Sequence, residues 1–189
     1  MFAFKKNYFL LIESTKDLDL KKIKKRSKFI IIYRNNNKKE EISKLIAFRK
    51  VCKIKDILFY VANDSHLAVN LRSDGIYLSS FNKSFKPLNL KRSKFNIIGA
   101  AHDVREIHHK ISQGCKYILL SRLFKVEYKK EMNFLGINKF NCFTKRFKNL
   151  VPLGGINILN LNKIKSINSN SFAILTEIKK KPAIISRLF

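Results

Sequence analysis

The chain has 189 residues, 46% of them hydrophobic, with Gly 6 and Pro 3. That composition excludes disordered, collagen-like and Pro-rich proteins, and residues 1–189 are expected to form a single domain around one substantial core. The net charge of +27 suggests a polyanion partner, but 31 Lys against 9 Arg, with 24 Ile and 18 Asn, is what AT-rich codons impose on any protein, so no specific nucleic-acid partner is expected.

In chain order, eight short runs are apolar or β-branched nearly throughout: Tyr8–Ile12, Phe29–Arg34, Asp56–Ala62, Gly75–Ser79, Phe95–Ala100, Tyr117–Ser121, Leu150–Leu153 and Phe172–Thr176. Such uniformity suits strands buried on both faces, as in a parallel sheet. Helical patterns fall between them. Glu40–Lys53 places Ile42, Leu45, Ile46 and Val51 on one face, and Ser65–Leu71 has room for one or two turns. Asp103–Gln113 repeats Val104, Ile107, His108 and Ile111, with Asp103 as N-cap and Gly114 as C-cap. Asn157–Ile167 repeats Ile158, Leu161 and Ile164, whereas Phe81–Ser93 reads as a loop with at most one turn of helix. Nothing helical is assigned between Ser121 and Leu150.

Alternation of strand and helix means a parallel sheet with right-handed crossovers. Eight units favour an α/β fold closed as a (β/α)8 TIM barrel, with helices trimmed because that fold commonly takes about 250 residues. An open flavodoxin-like sheet, which needs five strands, is the alternative. Cys52, Cys115 and Cys142 are widely spaced, with no C-x-x-C, and read as free thiols of a cytoplasmic protein. The four histidines form no ligand pattern. No apolar run approaches membrane-spanning length and the start lacks an apolar signal region, so neither a membrane span nor a secretory leader is expected.

In a barrel the reactive groups sit where strands end and loops begin. Gly154-Gly155 at the end of the seventh strand would let backbone N–H groups approach a phosphate, aided by a helix starting near Asn157; an ordinary tight turn is the other reading. Asn63-Asp64 ends the third strand. Asp64 there suits Mg²⁺, which takes one or two carboxylates plus substrate phosphates, and equally suits the N-cap of the helix starting at Ser65. Arg34 emerges beside them, either to neutralise a pyrophosphate or as a solvated rim charge.

Taken together, these strand ends resemble the thiamine phosphate synthase family and its TenI-like relatives. The resemblance runs from Phe29 to about Ile178. It rests on Val61-Ala62-Asn63-Asp64, Leu67-Ala68 and Asp74-Gly75-Ile76-Tyr77-Leu78, then Ile97-Ile98-Gly99-Ala100-Ala101-His102 with Glu106, Gly114-Cys115-Lys116-Tyr117-Ile118, Phe124 and Lys129, and Pro152-Leu153-Gly154-Gly155-Ile156. It implies a TIM barrel that joins a hydroxymethylpyrimidine diphosphate to a hydroxyethylthiazole phosphate and expels pyrophosphate. It implies that Arg34, Asn63 and Lys129 grip pyrophosphate, that Asp64 binds Mg²⁺, and that Gly154, Gly155 and Thr176 hold the thiazole phosphate. The sequence departs from the family pattern at Ile32, Asn36, Asn82, Ala100, Val126, Tyr128 and Arg122. The alternative is therefore a TenI-like or degenerate barrel that keeps the phosphate ligand without efficient coupling.

Overall fold

The computed structural model describes residues 6–23, 28–35, 40–93, 95–126, 131 and 133–175. Eight strands, β1 (Asn7–Ile12), β2 (Phe29–Tyr33), β3 (Leu58–Ala62), β4 (Gly75–Leu78), β5 (Asn96–Ala101), β6 (Tyr117–Ser121), β7 (Leu150–Leu153) and β8 (Ser171–Ile174), pair in sequence order as a closed parallel barrel. Closure comes from β1 against β8, with Tyr8 opposite Phe172. The TIM-barrel expectation is borne out, and the open sheet is excluded.

Alternation along each strand splits the core in two. Phe9, Leu11, Ile30, Ile32, Tyr60, Tyr77, Ile98, Ala100, Leu119, Val151, Leu153 and Ala173 fill the barrel. Their neighbours, such as Leu10, Ile31, Phe59, Ile118 and Phe172, face outward under the helices. Every strand is thus covered on both sides, which is why its sequence is apolar without alternation.

The helices are α1 (Ile42–Ile54), α2 (Ser65–Asn70), α3 (Val104–Ser112) and α4 (Gly136–Arg146). On α1 the expected face is corrected: Leu45 and Cys52 are buried, while Ile42, Ile46 and Val51 are exposed. On α3, Ile107 and Lys110 face inward and Ile111 is exposed, so the core face is rotated from the expected one. Asp103 is the N-cap, its Oδ1 accepting the Glu106 N–H at 2.7 Å, and Gly114 has φ 71° just past the C-terminus. The α4 helix, seated by buried Phe140, occupies a stretch to which sequence patterning assigns nothing. After β7 the expected helix from Asn157 is a 3-10 helix, Leu161–Ser166, with Leu161 and Ile164 buried. The segment after β4 also forms a 3-10 helix, Lys86–Ser93.

The motif Asp74-Gly75 serves the fold rather than the chemistry. The Asp74 carboxylate accepts the Phe59 N–H at 2.7 Å and pairs with Arg49 at 2.9 Å, at the end of the barrel opposite the strand C-termini. Cys52, which is buried, Cys115, which is half-buried, and Cys142, which is exposed, form no disulfide among the described residues.

Burial pushes the Cys52 thiol up to about 12, opposed by Arg49 and reinforced by Asp74. Burial likewise pushes the Tyr77 phenol up to about 12, opposed by Arg34. Between pH ~9 and ~12 the folded state therefore keeps protons that the unfolded chain releases, so stability is full below that window and falls through it. The Cys52→Ala variant is expected to lose about 1–3 kcal/mol less between pH 8 and pH 11 than the wild type, at ~1.4 kcal/mol per pH unit of separation. Urea unfolding at the two pH values checks this, and equal losses would show that the thiol is not coupled to unfolding.

Candidate functional site

Because the strands are parallel and the barrel is closed, the residues that follow them share one mouth. Arg34 follows β2, Asn63 and Asp64 follow β3, Ser79–Asn82 follow β4, His102 follows β5, Arg122 follows β6, and Gly154-Gly155 follow β7. Lys129 and Thr176, implied in pyrophosphate and thiazole-phosphate binding, lie outside the described residues, as do Asn36 and Tyr128.

Arg34 is half-buried, and its N–H donates to the Ile12 carbonyl at 2.8 Å, extending the β1–β2 ladder by one residue. Its guanidinium lies near enough to Tyr77 inside the barrel to favour that phenol's ionisation. The Arg34 Nε is buried and has no hydrogen-bond partner among the described residues. A buried guanidinium donor without an acceptor is costly unless a ligand supplies one.

Asn63 adopts φ 59°, a left-handed conformation that Asn tolerates. Its N–H donates to Tyr77 O at 2.8 Å. Its Oδ1 accepts three donors: Ser79 N–H at 3.0 Å, Ser79 Oγ at 3.1 Å and Asn82 Nδ2 at 3.0 Å. Asn63 thus ties the end of β3 to the loop after β4. The Asp64 Oδ1 accepts the Leu67 N–H at 2.9 Å and caps α2. Asp64 is exposed at the mouth. A single exposed carboxylate at the mouth fits a Mg²⁺ ion carried chiefly by substrate phosphates. No cluster of three metal-ligating side chains occurs among the described residues.

At the end of β5 the Glu106 Oε2 accepts the His102 N–H at 2.7 Å and sits 3.0 Å from His102 Nδ1. Ile32 and Ala100, where the family pattern is polar, are buried inside the barrel and complete its apolar filling.

The turn after β7 has Gly154 at φ 95° and Gly155 at φ 69°, both in the region glycine accepts without strain. A Cβ on Gly155 would stand 2.5 Å from Phe124 O, and one on Gly154 would stand 3.2 Å from the Arg122 Cβ. Close packing against the β6 loop thus demands these glycines, whatever they bind. The helix expected near Asn157 is corrected. There the Asn157 Oδ1 accepts the Leu159 and Asn160 N–H groups, Asn160 Nδ2 donates to Gly155 O at 2.6 Å, and the 3-10 helix begins only at Leu161. The helix-end contribution to a phosphate site is therefore missing, and backbone approach is what the turn offers.

Two polar residues that sequence patterning does not single out support the mouth from behind. Lys110 and Gln113 of the α3 region are buried. Lys110 Nζ donates to Asn82 O at 2.7 Å and to Gln113 Oε1 at 2.9 Å, and Gln113 Nε2 donates to Asn82 O at 3.1 Å and Ser84 O at 2.7 Å. Burial lowers the Lys110 pKa, with Cys115 and Glu106 acting in the opposite sense. The one available signal was their position, three and six residues after Ile107 on the core side of an amphipathic helix.

Among curated proteins, the chain is 28% identical over 148 residues to the thiamine-phosphate synthase of Prochlorococcus marinus subsp. pastoris, covering 76% of this chain and 42% of that protein. It is 25% identical over 161 residues to the thiamine-phosphate synthase of Thermoplasma acidophilum, covering 81% of this chain and 73% of that one. The chain thus spans about two fifths of the length of the Prochlorococcus relatives it matches, 42% and 38% for two of them. In fold it is similar to thiamine phosphate pyrophosphorylase from Pyrococcus furiosus, with a TM-score of 0.72 at 13% identity over 98% of both chains. It is similar in the same way to a 3-hexulose-6-phosphate synthase, with a TM-score of 0.70 at 12% identity over 96% of this chain and 97% of that one. The family model described as thiamine monophosphate synthase matches residues 15–178, so that one pattern runs from the loop after β1 past the end of β8, and the chain belongs to the thiamine monophosphate synthase family.

Proposed function

We propose that the protein is a thiamine-phosphate synthase. In this reaction the bond between the pyrimidine methylene carbon and the diphosphate oxygen breaks, pyrophosphate departs, and the thiazole nitrogen forms the new carbon–nitrogen bond. The pyrimidine ring spreads the positive charge that develops on the methylene carbon, so no protein nucleophile is required. What the chain must supply is neutralisation and orientation of a leaving pyrophosphate. The observation that carries the reading is Arg34, a cation at the mouth whose buried Nε awaits an acceptor. Asn63 and Asp64 adjoin it in the next loop. Mg²⁺, when bound, would neutralise leaving-group charge, with Asp64 holding it. Gly154 and Gly155 offer backbone approach to the thiazole phosphate, with the aliphatic stem of Arg122 packed against Gly154. Lys129 and Thr176 complete the proposed set.

The deciding experiment is a coupling assay with both substrates and Mg²⁺, following pyrophosphate release and the joined product. Product formation is expected. Binding of the thiazole phosphate without product would establish instead a barrel that retains its ligand without coupling.

Asn82 refines the expectation for the metal. Its Nδ2 donates to Asn63 Oδ1, so an Asp there would place two acceptors face to face unless a cation lies between them. The Asn82→Asp variant is expected to turn over faster than wild type at saturating Mg²⁺, with a steeper dependence on Mg²⁺ concentration. A rate profile indistinguishable from wild type across a Mg²⁺ titration would remove position 82 from the metal site.

A further inference from the structure

Resting on the synthase reading, we propose that Lys110 is a positioning residue for the pyrimidine-diphosphate end of the site, acting through the loop after β4. A lysine fully withdrawn from solvent is rare, because the ammonium loses its hydration. Here no carboxylate accepts from it in the described structure; its acceptors are Asn82 O and Gln113 Oε1. Two hydrogen bonds to neutral oxygens compensate a buried charge only in part, so a hydrocarbon of similar volume would serve the core at least as well. The ammonium therefore does something that packing does not require.

What it does is visible in the loop. Asn82 is gripped from both sides: its carbonyl is held by Lys110 and Gln113 below, and its side-chain amide donates to Asn63 at the mouth. Its N–H closes the turn onto Ser79 O at 3.0 Å, and Ser79 in turn gives both its N–H and its hydroxyl to Asn63 Oδ1. Three residues of the α3 region clamp this segment, since His109 also meets Phe85 edge to face, with centroids 5.4 Å apart. The chain Lys110–Asn82–Asn63 thus runs from the core to a residue proposed to hold pyrophosphate. Nothing in it reaches the turn at Gly154-Gly155. Loss of the ammonium should therefore affect one substrate and spare the other.

Lys110→Met tests this in the full chain. Its unbranched apolar stem can follow the lysine methylenes past Gly99, where a Cβ would stand 2.8 Å from Lys110 Cδ. The variant is expected to melt at or above the wild-type temperature. The KM for the pyrimidine diphosphate is expected to rise about fivefold, equivalent to ~1 kcal/mol, with the KM for the thiazole phosphate unchanged. Independently of activity, amide hydrogen exchange at Ser79 and Asn82 should accelerate, while Ile98 and Leu119 in the barrel wall keep their rates. Equal shifts in both KM values, no shift in either, or unchanged exchange at Ser79 and Asn82 would overturn the proposal. If Lys110→Met fails to fold, Gln113→Leu should give the same substrate-selective change in weaker form, and its absence would be equally decisive. Should the wild type bind and convert neither substrate, the synthase reading falls and the substrate half of this proposal with it. The exchange comparison would still show whether Lys110 fixes the loop.

Discussion

Replacing Gly75 by alanine is expected to destabilise the barrel by about 3 kcal/mol or more, the upper end of what overpacking costs in a protein core. A Cβ there would stand 2.0 Å from Asn96 O and 2.5 Å from a ring carbon of Tyr60. The first neighbour is backbone in the adjoining strand, so relief requires β4 and β5 to separate where Gly75 pairs with Asn96. The second is a buried ring filling the barrel. For a domain of this size the change should lower the melting temperature by about 6–12 °C. Gly136→Ala is the matched control. Gly136 has φ 70° and open space around its Cβ position, so backbone strain alone, about 1–2 kcal/mol, should appear. Equal melting temperatures for the two variants would mean that the β4–β5 contact relaxes at little cost.

The largest effect on activity is expected from Asp64→Asn, with turnover falling about 10²-fold or more if the carboxylate stabilises leaving-group charge as an oxyanion donor does. This substitution separates two roles that the structure superimposes on one side chain. As N-cap of α2, Asp64 accepts the Leu67 N–H through Oδ1, and asparagine caps nearly as well. Stability should therefore be kept within about 0.5 kcal/mol, as for a substitution that preserves its contacts. Asp64→Ala removes cap and charge together and should lose about 1 kcal/mol of stability in addition to activity. Circular dichroism melts beside steady-state rates distinguish the outcomes. A fully active Asp64→Asn enzyme would leave Asp64 as a cap and nothing more.

The barrel was legible because strands covered on both faces announce themselves as unbroken apolar runs, and all eight lie within two residues of their expected bounds. Helix faces were less legible. A chain so rich in Ile places Ile42, Ile46 and Ile54 on exposed positions of α1, and the periodic signal blurs. The α4 helix opens on Gly136 and carries Asn138, Asn141 and Thr144, weak helix formers, with no side-chain cap at Leu135. It stands because Phe140 is buried, which is a tertiary fact. At the mouth, Arg34, Asn63 and Asp64 could be read from their places after strands. The Asn63–Ser79–Asn82 knot could not, since its partners lie 16 and 19 residues away and meet only when β3 and β4 pair. Lys110 was invisible as one lysine among 31.

The loops after β6 and β7 are joined below their tips. Leu123 N–H donates to Leu153 O and Phe124 N–H to Gly154 O, which carries the ladder between the two strands past their ends. The departing chain is then fastened where it returns, by Leu135 N–H to Arg122 O and Gly136 N–H to Leu123 O. The chain leaving β6 is therefore fastened both to β7 and to the start of α4, and Lys125 O and buried Val126 continue that packing beside Gly155. A disturbance at Arg122 or Leu123 is therefore passed at once to the end of β7, the glycine turn and the first turn of α4, so these three places share one mechanical anchor.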